Sequence, residues 1–590
     1  MPTWVRVVGK VRPGVAIEAA RSELQSVFDQ IAKDFPTLLR EDRVLRVVPL
    51  QQRIVGRVQV ALTILLVAVA FVLMIATTNI AHLLLARWLS RQTEIAVRMS
   101  LGAGRTRILR QLLSEGVLLT IVGCGAGLIL ANWALQAIVR LWPQAIPRLE
   151  GAVINTSVLV FALVAAVVST VSFSAAPAIS LLKTDLTGAL KSEDRVASPT
   201  PGVSRVRGLL VSLELALATA LLIGAGLALK SFWLMSSGPP GLDPEKILVT
   251  RVSLSGPRYA SRLPQEQYVQ ELLRRLEGTP GFSAVGIDAG SFNFPIKVDG
   301  VGLDTSATGD QFATFKPISL GFLRVMGVPL IRGRWPTDTA LSSDAVESTD
   351  ALLVNQRFVN AVMSGQEPIG RHVSGPYVSG TIAGVVADFK DWQLDAEPLP
   401  QVYVPFTRSM VLRSVRVVLR TNGDPFAAAP FVRETIARID GTQAIAEFAT
   451  LDDVLNRSIA NRRFSLSMLC LFAAVALFLA LTGAYGVIAH SVAQRTREIG
   501  IRVALGARPT DVVSLVVWHE MHVALAGIAL GLLATFALAP VMATLLYDMT
   551  PRDPATFIAV GVALASASLL TSWSAAARAA RVDPMVVLRG

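Results

Sequence analysis

Seven long runs of apolar residues divide the chain. Each is nearly free of formal charge and is long enough for a helix that crosses a bilayer, which needs roughly 20 residues. The runs cover residues 58–86, 112–139, 153–182, 208–229, 464–489, 512–546 and 555–577. Residues 236–463 contain no such run. The pattern predicts seven membrane-spanning helices, four before and three after a large block of a different kind.

The block 236–463 alternates between strand-like and helix-like patterns, with Gly and Pro between them. Apolar and polar residues alternate with the period of a strand at 246–254, 283–288, 381–386, 401–404 and 414–419, and helical spacing occurs at 264–276 and 425–439. Residues 1–57 are also mixed, with an amphipathic helical pattern at 15–35 and a strand-like stretch at 44–50. We predict a soluble α+β domain at 236–463.

A basic stretch at 91–113 recurs near the other end of the chain. Seven residues reappear after a constant shift of 404 positions, without a gap: Glu94, Ile95, Arg98, Leu101, Gly102, Ala103 and Thr106 return as Glu498, Ile499, Arg502, Leu505, Gly506, Ala507 and Thr510. The register continues into the following apolar runs, where Gly123 and Gly127 fall on Gly527 and Gly531. The membrane part is therefore expected to contain two related units.

Composition agrees with a membrane protein and excludes several other classes. Of the 590 residues, 52% are hydrophobic and 17% charged, and the mean hydropathy is +0.53. The formal charge of +12 comes from Lys and Arg beside apolar runs, where they set topology, so no nucleic-acid partner is predicted. Cys124 and Cys470 lie inside apolar runs and indicate neither a disulfide framework nor a metal cluster.

The distribution of positive charge predicts an orientation. Arg and Lys are concentrated at 87–110, 183–207, 495–508 and 578–590, whereas the loops at 141–152 and 547–554 are short and nearly neutral. The positive-inside rule places the basic segments, including the C-terminus, in the cytoplasm. Seven crossings then put the N-terminus and residues 236–463 outside, in a multi-pass protein of the inner (plasma) membrane.

No catalytic, metal or cofactor motif survives inspection. His519 and His522 are three apart and lack the HExxH spacing of a zinc site. The segment 224–231 ends like a phosphate loop, but Leu229 replaces the required Gly and the segment lies in a predicted span. His82, His372 and His490 stand alone in sequence. We predict that the chain is not an enzyme and holds no cofactor or metal.

Two features lie inside the predicted spans. Gly123 with Gly127, and Gly527 with Gly531, are small-xxx-small pairs that allow close packing between helices. Glu214 is the clearest intramembrane acid. An acid in lipid indicates a functional site by default, but Glu214 lies about two turns from the predicted cytoplasmic end, so its side chain could instead reach water. The sequence leaves both interpretations open.

The duplicated stretches, RQTEIAVRMSLGAGRTRILRQLLSEG and QRTREIGIRVALGARPTDVVSLVVWHE, resemble those of FtsX/MacB-type ABC transporter permeases. Segments 312–335, 352–370, 381–392 and 398–406 resemble the extracytoplasmic core domain of that family, and 578–590 is typical of its C-terminus. A duplicated member without its own ATPase would have eight spans and two external domains. The resemblance thus implies a chain truncated at its start. The domains are a remnant of the first external domain at 1–57, a first permease unit at 58–191, a linker at 192–207, a fourth span at 208–235, the core domain at 236–463 and a second unit at 464–590.

The resemblance implies that the loop in each unit forms a short coupling helix that docks on a separate cytoplasmic ABC ATPase, which binds the ATP. The implied coupling residues are Arg91, Glu94, Arg98 and Gly102, and Arg495, Glu498, Arg502 and Gly506. In each unit the Glu and the Arg four residues later share a helix face and can pair. The alternative is that these loops only enforce topology.

The two units would make one chain a pseudodimer in the lipid bilayer. The implied function is export of an unknown substrate, or mechanical transmission to the external domain. The alternatives are an FtsX-like scaffold that regulates an envelope enzyme without transport, and a degenerate protein independent of any ATPase. A periplasmic adaptor or envelope protein is a further candidate partner.

Overall fold

The computed structural model describes residues 8–34, 45, 47–90, 98, 104–142, 151–183, 201–237, 241–299, 311–336, 351–375, 378–395, 397–408, 412–494, 509–542, 546 and 549–579. The chain forms two compact units. One combines Met1–Arg53 with Ser236–Ile459, and the other combines Ile54–Met235 with Ala460–Gly590. We call them the α+β unit and the helical unit.

The described helices, in chain order, are α1 (Ile17–Asp34), α2 (Leu50–Ser90), α3 (Arg105–Leu141), α4 (Thr156–Lys183), α5 (Pro201–Ser237), α6 (Arg262–Glu277), α7 (Leu320–Met326), α8 (Gln356–Val362), α9 (Pro425–Asp440), α10 (Leu451–Gln494), α11 (Pro509–Met542) and α12 (Pro554–Ala579). Short 3-10 turns occupy Pro257–Tyr259 and Phe406–Arg408. Helices α2 to α5 and most of α10 to α12 belong to the helical unit.

Within the described residues, seven helices are long and apolar enough to cross a membrane. Their candidate spans are Gln59–Leu85, Ser114–Leu141, Thr156–Ser174, Val206–Ser237, Leu451–Ala489, Glu520–Pro540 and Pro554–Arg578. The predicted number of spans is therefore confirmed by length and composition. The prediction that the strand-like stretch at 44–50 forms a strand is wrong, because its described residues are not in a strand and Leu50 already begins α2.

Small side chains allow the central helices of the helical unit to pack closely. Ala473, Ala476 and Ala480 form one stripe on α10, and each is at most 2% exposed. They share a core with apolar residues of α2, α5 and α11. Because lipid tails are as apolar as leucine, such contacts depend on close backbone approach rather than on the exclusion of water.

The α+β unit is built on a 12-stranded sheet. Its strands are β1 (Ile247–Ser253), β2 (Phe282–Asp288), β3 (Phe292–Val298), β4 (Gln311–Ile318), β5 (Leu330–Gly333), β6 (Ala351–Asn355), β7 (His372–Gly375), β8 (Val378–Val386), β9 (Gln401–Pro405), β10 (Ser414–Thr421), β11 (Ala444–Ile445) and β12 (Ala449–Thr450). Strand β12 pairs with β1 and β5 pairs with β8, and the other ten described strands follow the order β11-β1-β10-β2-β4-β3-β7-β8-β6-β9. Parallel pairing of β4 with β9 closes the last six of these strands into a ring.

Alternation along the strands sends side chains into three cores. Apolar residues of β3, β4, β6 and β9 fill the ring. One face of β1, β2 and β10 packs under α6 and α9, and α7 covers the opposite face. A side chain at Gly286 of β2 would overlap the backbone of Phe322 on α7, so glycine allows that helix to lie directly on the strand.

Candidate functional site

The two basic loops are bounded by helices at equivalent positions. Helix α2 ends at Ser90 and α3 begins at Arg105, while α10 ends at Gln494 and α11 begins at Pro509. Both boundaries are related by the shift of 404 that relates the sequence repeats. The helices that flank the duplicated sequence thus begin and end at equivalent positions in the two repeats.

Most of the predicted coupling residues lie outside the described residues. This applies to Arg91, Glu94, Gly102, Arg495, Glu498, Arg502 and Gly506. Arg98 is described, is exposed, and has its Nη1 3.5 Å from Oε1 of Gln111 at the start of α3. The coupling role of both loops stays a prediction.

The two predicted glycine pairs have different surroundings. A Cβ built on Gly527 would lie 2.5 Å from the carbonyl oxygen of Ser212, and one on Gly531 would lie 2.6 Å from that of Ala216. These two glycines of α11 therefore lie against the backbone of α5. Among the described residues, a Cβ on Gly123 or Gly127 of α3 meets nothing within 4 Å, so close packing at that pair stays a prediction.

Glu214 lies in the centre of the helical unit and does not reach water. Its side chain on α5 is 1% exposed, and its Oε1 is 3.5 Å from Nδ1 of His82 on α2. His82 is itself 6% exposed. Glu214 and His82, which are far apart in sequence, therefore meet between α5 and α2. His82 stands alone in the sequence but not in the structure.

Asn79, one turn before His82 on α2, connects this pair to α10. Its Nδ2 donates to the carbonyl oxygen of Leu479 at 2.8 Å. Gly483 of α10 leaves room for the amide, because a side chain at Gly483 would overlap Asn79 and its Cβ would lie 2.7 Å from Oε2 of Glu214. We call Asn79, His82 and Glu214, with Gly483 beside them, the polar node.

The polar node lies where the two repeats meet. Asn79 and Gly483 occupy equivalent positions, since the shift of 404 relates one to the other. Contact between equivalent positions is expected where two related units pack around a pseudo-two-fold axis. The repeats differ at this point, because one supplies an amide and the other supplies the space that accommodates it.

The sequence contains a signal that could have located His82. Ala61, Ala68 and Ile75 are each at most 5% exposed and precede His82 at intervals of seven residues on α2. A heptad stripe of small and apolar residues marks the packed face of a helix. His82 continues that stripe, so its burial follows from spacing, although its partner on α5 does not.

The charges nearest the polar node are balanced at its edge. Arg207, about two turns before Glu214 on α5, is 8% exposed and acts electrostatically on His82. Glu520 on α11 in turn acts on Arg207. Ser212 adds a further tie between α5 and α11 by donating to the carbonyl oxygen of Val523 at 3.0 Å. The described residues bring no three His, Cys, Asp or Glu side chains together as metal ligands.

The α+β unit contains a second buried charged cluster. Lys316 on β4 is 0% exposed; its Nζ is 2.6 Å from Asp391 and 3.9 Å from Asp288. Asp288 also receives the indole N–H of Trp392 at 2.8 Å and pairs with Arg416 at 3.2 Å. The members of this cluster lie on strands and on a loop that are far apart in sequence, so no sequence motif predicted the cluster.

Burial changes the acid–base properties of this cluster. Desolvation raises the pKa of Asp391, although the ammonium of Lys316 opposes the change. Desolvation likewise lowers the pKa of the Arg416 guanidinium, which stacks 3.7 Å from the centre of the Trp392 ring. Lys316 lies 4.8 Å from the centre of the Phe322 ring. These ion pairs and cation–π contacts hold the loop after β8 against the sheet.

Comparison with known proteins identifies the helical unit. The family model FtsX-like permease C-terminal matches residues 66–186 and 470–584. The chain is similar to the macrolide export ATP-binding/permease protein MacB of Sodalis glossinidius, with 28% identity over 279 residues that cover 45% of this chain and 42% of that protein. It is 24% identical to MacB of Escherichia coli over 316 residues, covering 49% and 46%. The chain thus spans less than half the length of these relatives.

Solved structures give weaker similarities. The periplasmic region of MacB from Actinobacillus actinomycetemcomitans has 15% identity and a TM-score of 0.27, and the match covers 37% of this chain and 95% of that one. The extracellular domain of the noncanonic ABC-type transporter YknZ from Gram-positive bacteria has 15% identity and a TM-score of 0.24, covering 34% and 100%. Two segments of the chain thus match the FtsX-like permease C-terminal family, and together with the sequence relatives they support an FtsX/MacB-type ABC permease.

Proposed function

We propose that the chain is the membrane subunit of an export or mechanotransmission system, in which a separate cytoplasmic ATPase moves an extracytoplasmic α+β domain through the membrane helices. The two basic loops are the docking sites for the ATPase. The α+β domain receives the motion and acts on a cargo outside the cytoplasm. MacB relatives are named as macrolide exporters; the cargo of this chain is not assigned.

The continuity of α10 is the observation that carries this proposal. The helix runs from Leu451 to Gln494 without interruption, about 66 Å at 1.5 Å per residue. Leu451 and Leu455 belong to a core of the α+β unit, whereas Ala476 and Ala480 belong to the core of the helical unit. One continuous helix therefore contributes residues to the cores of both units and ends at the second basic segment.

The sidedness of the proposal is supported by charge. Both basic loops carry an excess of Arg, and the positive-inside rule assigns them to the same, cytoplasmic, side. A spanning helix that begins in the α+β unit and ends at one of these loops puts that unit on the opposite side. Movement along α10 would then carry a signal across the bilayer whether or not a substrate follows.

A kink in α10 tests the proposal. Arg463 is an exposed position between the two cores, so Arg463→Pro interrupts the helix and Arg463→Ala is the matched control. The full chain is reconstituted with its ATPase, and hydrogen exchange of residues 241–459 is compared with Mg²⁺-ATP and with Mg²⁺-ADP. We expect hydrogen exchange to differ between the two nucleotides in wild type and in Arg463→Ala. In Arg463→Pro this difference should be lost while the ATPase stays bound.

Two outcomes would contradict the proposal. A response in Arg463→Pro equal to that of wild type would show that α10 does not transmit the motion. Failure of any ATPase to associate with the wild-type chain would leave only the ATPase-independent alternative. If the exchange response is present but no cargo moves in vesicles, the scaffold interpretation replaces export and the mechanical coupling stands.

A further inference from the structure

The polar node contains neighbouring buried hydrogen-bond acceptors that lack a donor. Both carboxyl oxygens of Glu214 and the Oδ1 of Asn79 are buried and have no hydrogen-bond partner among the described residues. Oε2 of Glu214 and Oδ1 of Asn79 both lie against Gly483, so they are close to each other. Two neighbouring acceptors in a low-dielectric site repel each other, and leaving a buried polar atom unpaired is unfavourable.

Rotating the amide of Asn79 does not remove the conflict. Its Nδ2 is already committed to the carbonyl oxygen of Leu479 at 2.8 Å. Exchanging the amide oxygen and nitrogen would give Glu214 a donor but would place the oxygen against that carbonyl, so one pair of neighbouring acceptors would remain. A hydrogen on Glu214 satisfies both acceptors.

The neighbouring charges also favour a proton on the carboxyl group. An imidazolium at His82 would be a second cation beside Arg207, whose charge already acts on this ring. From α11, Glu520 is the acid that balances Arg207. From α10, the group nearest the node is a glycine, and the amide–carbonyl bond beside it is uncharged. A carboxylate at Glu214 would thus leave an unbalanced negative charge buried among the spans.

We propose that Glu214 is a proton-binding site of the membrane bundle. Its carboxylic acid donates from one oxygen to Oδ1 of Asn79, and its other oxygen is a neighbour of the neutral His82 ring. Asn79 in turn donates to Leu479. Binding one proton completes a line of hydrogen bonds from α5 through α2 to α10, across the junction of the two repeats. Release of that proton breaks the line and charges the bundle centre.

Infrared spectroscopy of the full-length protein in nanodiscs tests the protonation state. A protonated carboxylic acid has a carbonyl stretch that is separate from the two carboxylate bands. We expect the difference spectrum between wild type and Glu214→Gln at neutral pH to show the loss of one protonated carboxyl band. Glu271→Gln on α6, where hydrogen bonds from Arg274 and Arg275 lower the pKa of the carboxyl group to about 2, is the control and should remove carboxylate bands. Loss of carboxylate bands in Glu214→Gln would overturn the proposal.

Thermal stability gives an independent measurement. Glutamine mimics the protonated acid, because its amide can donate to Asn79, so Glu214→Gln should unfold within about 2 °C of wild type at about pH 4, where the carboxyl group is largely protonated in the unfolded chain as well. Raising the pH should lower the unfolding temperature of wild type relative to Glu214→Gln, since only wild type has a proton to lose. An unchanged difference across pH would contradict the proposal. A different result would indicate a bound cation instead of a proton. In that case the stability of wild type would depend on the Na⁺ concentration, with choline as the comparison cation, and no protonated carboxyl band would be seen.

Discussion

Helices α3 and α11 occupy equivalent places in the two repeats but have different neighbours. Gly527 and Gly531 of α11 lie against the backbone of α5, whereas a side chain at Gly123 or Gly127 of α3 would meet open space among the described residues. More residues of the α11 span than of the α3 span are buried. A small-xxx-small pair therefore allows another helix to approach closely. Close packing also requires that a neighbouring helix lies at that position.

The meeting of α2 and α10 shows a second kind of difference. These helices also occupy equivalent places, and they contact each other at the equivalent residues Asn79 and Gly483. Identical residues at such a position would give two glycines with a gap or two amides in conflict. Divergence of the repeats thus allows an amide to fill the space that a glycine leaves, beside the buried acid of α5.

The largest expected effect comes from reversing charge in both basic loops. Glu94→Arg together with Glu498→Arg would remove both predicted i,i+4 pairs and should lower co-purification of the proposed ATPase by more than about tenfold, or ~1.4 kcal/mol. Each single change should give a similar partial loss if the loops are equivalent. Glu434→Arg, exposed on α9, is the control. Full retention of the ATPase by the double variant would contradict docking at these loops.

A smaller effect, of about 1–3 kcal/mol, is expected at the glycine pairs. Gly531→Leu forces α11 away from α5, because the new Cβ alone would lie 2.6 Å from the carbonyl oxygen of Ala216. Gly127→Leu is the matched change on α3 and should have little effect. Thermal unfolding in nanodiscs measures both. Equal losses for the two variants would mean that α3 has a helix packed on its glycine face.

The N-caps of α4 and α12 compare the third spans of the two units. The side chain of Asn155 accepts from the amide of Val158, and that of Asp553 accepts from the amide of Thr556, both at 3.0 Å. Alanine at either position should cost about 1 kcal/mol. Faster hydrogen exchange confined to the first turn of the affected helix is the expected result. No change in exchange would show that water replaces the cap.

The smallest effect distinguishes the charged cap from the neutral one. Hydrogen bonds from Lys230 and Thr556 lower the pKa of Asp553 below its ordinary value. This stabilisation is present above the unfolded pKa of about 4 and is lost as the pH falls through the lower folded pKa. Lys230 is 41% exposed, so after solvent screening we expect only about 0.3–0.5 kcal/mol.

The variant Asp553→Asn provides the control for this pH effect. It keeps an oxygen that can cap α12 but removes the titrating charge. Exchange at the start of α12 should therefore differ between wild type and Asp553→Asn at neutral pH and converge in acid. At the start of α4 the cap should not titrate, because Asn155 carries no charge. A difference that persists unchanged into acid would contradict the ion-pair account.

Local patterns predicted the elements of this molecule well. The apolar runs gave seven spans because length and hydropathy are properties of each segment alone. The strand-like pattern at 401–404 corresponds to β9, and the helical spacing at 425–439 corresponds to α9. The hairpin of β3 and β4 was not predicted, because its aromatic residues and prolines, such as Pro295 and Pro317, interrupt strict alternation.

Contacts between distant segments could not be predicted in the same way. Glu214 was recognised because an acid in an apolar run is conspicuous, whereas its neighbour His82 is 132 residues away and depends on how α2 packs against α5. Lys316 was likewise missed, since its partners Asp288 and Asp391 come from other parts of the sheet. Spacing indicates which face of an element is buried, but one sequence does not indicate which faces meet.

The central claim is that two equivalent loops lie on one side of the membrane and the α+β unit on the other. Labelling of single cysteines in intact cells tests it most directly, with Arg98→Cys, Glu498→Cys and Leu399→Cys introduced separately into a chain with Cys124→Ala and Cys470→Ala. A membrane-impermeant maleimide should label Leu399→Cys at once and the two loop cysteines only after permeabilisation. Labelling of either loop cysteine in intact cells would contradict the account.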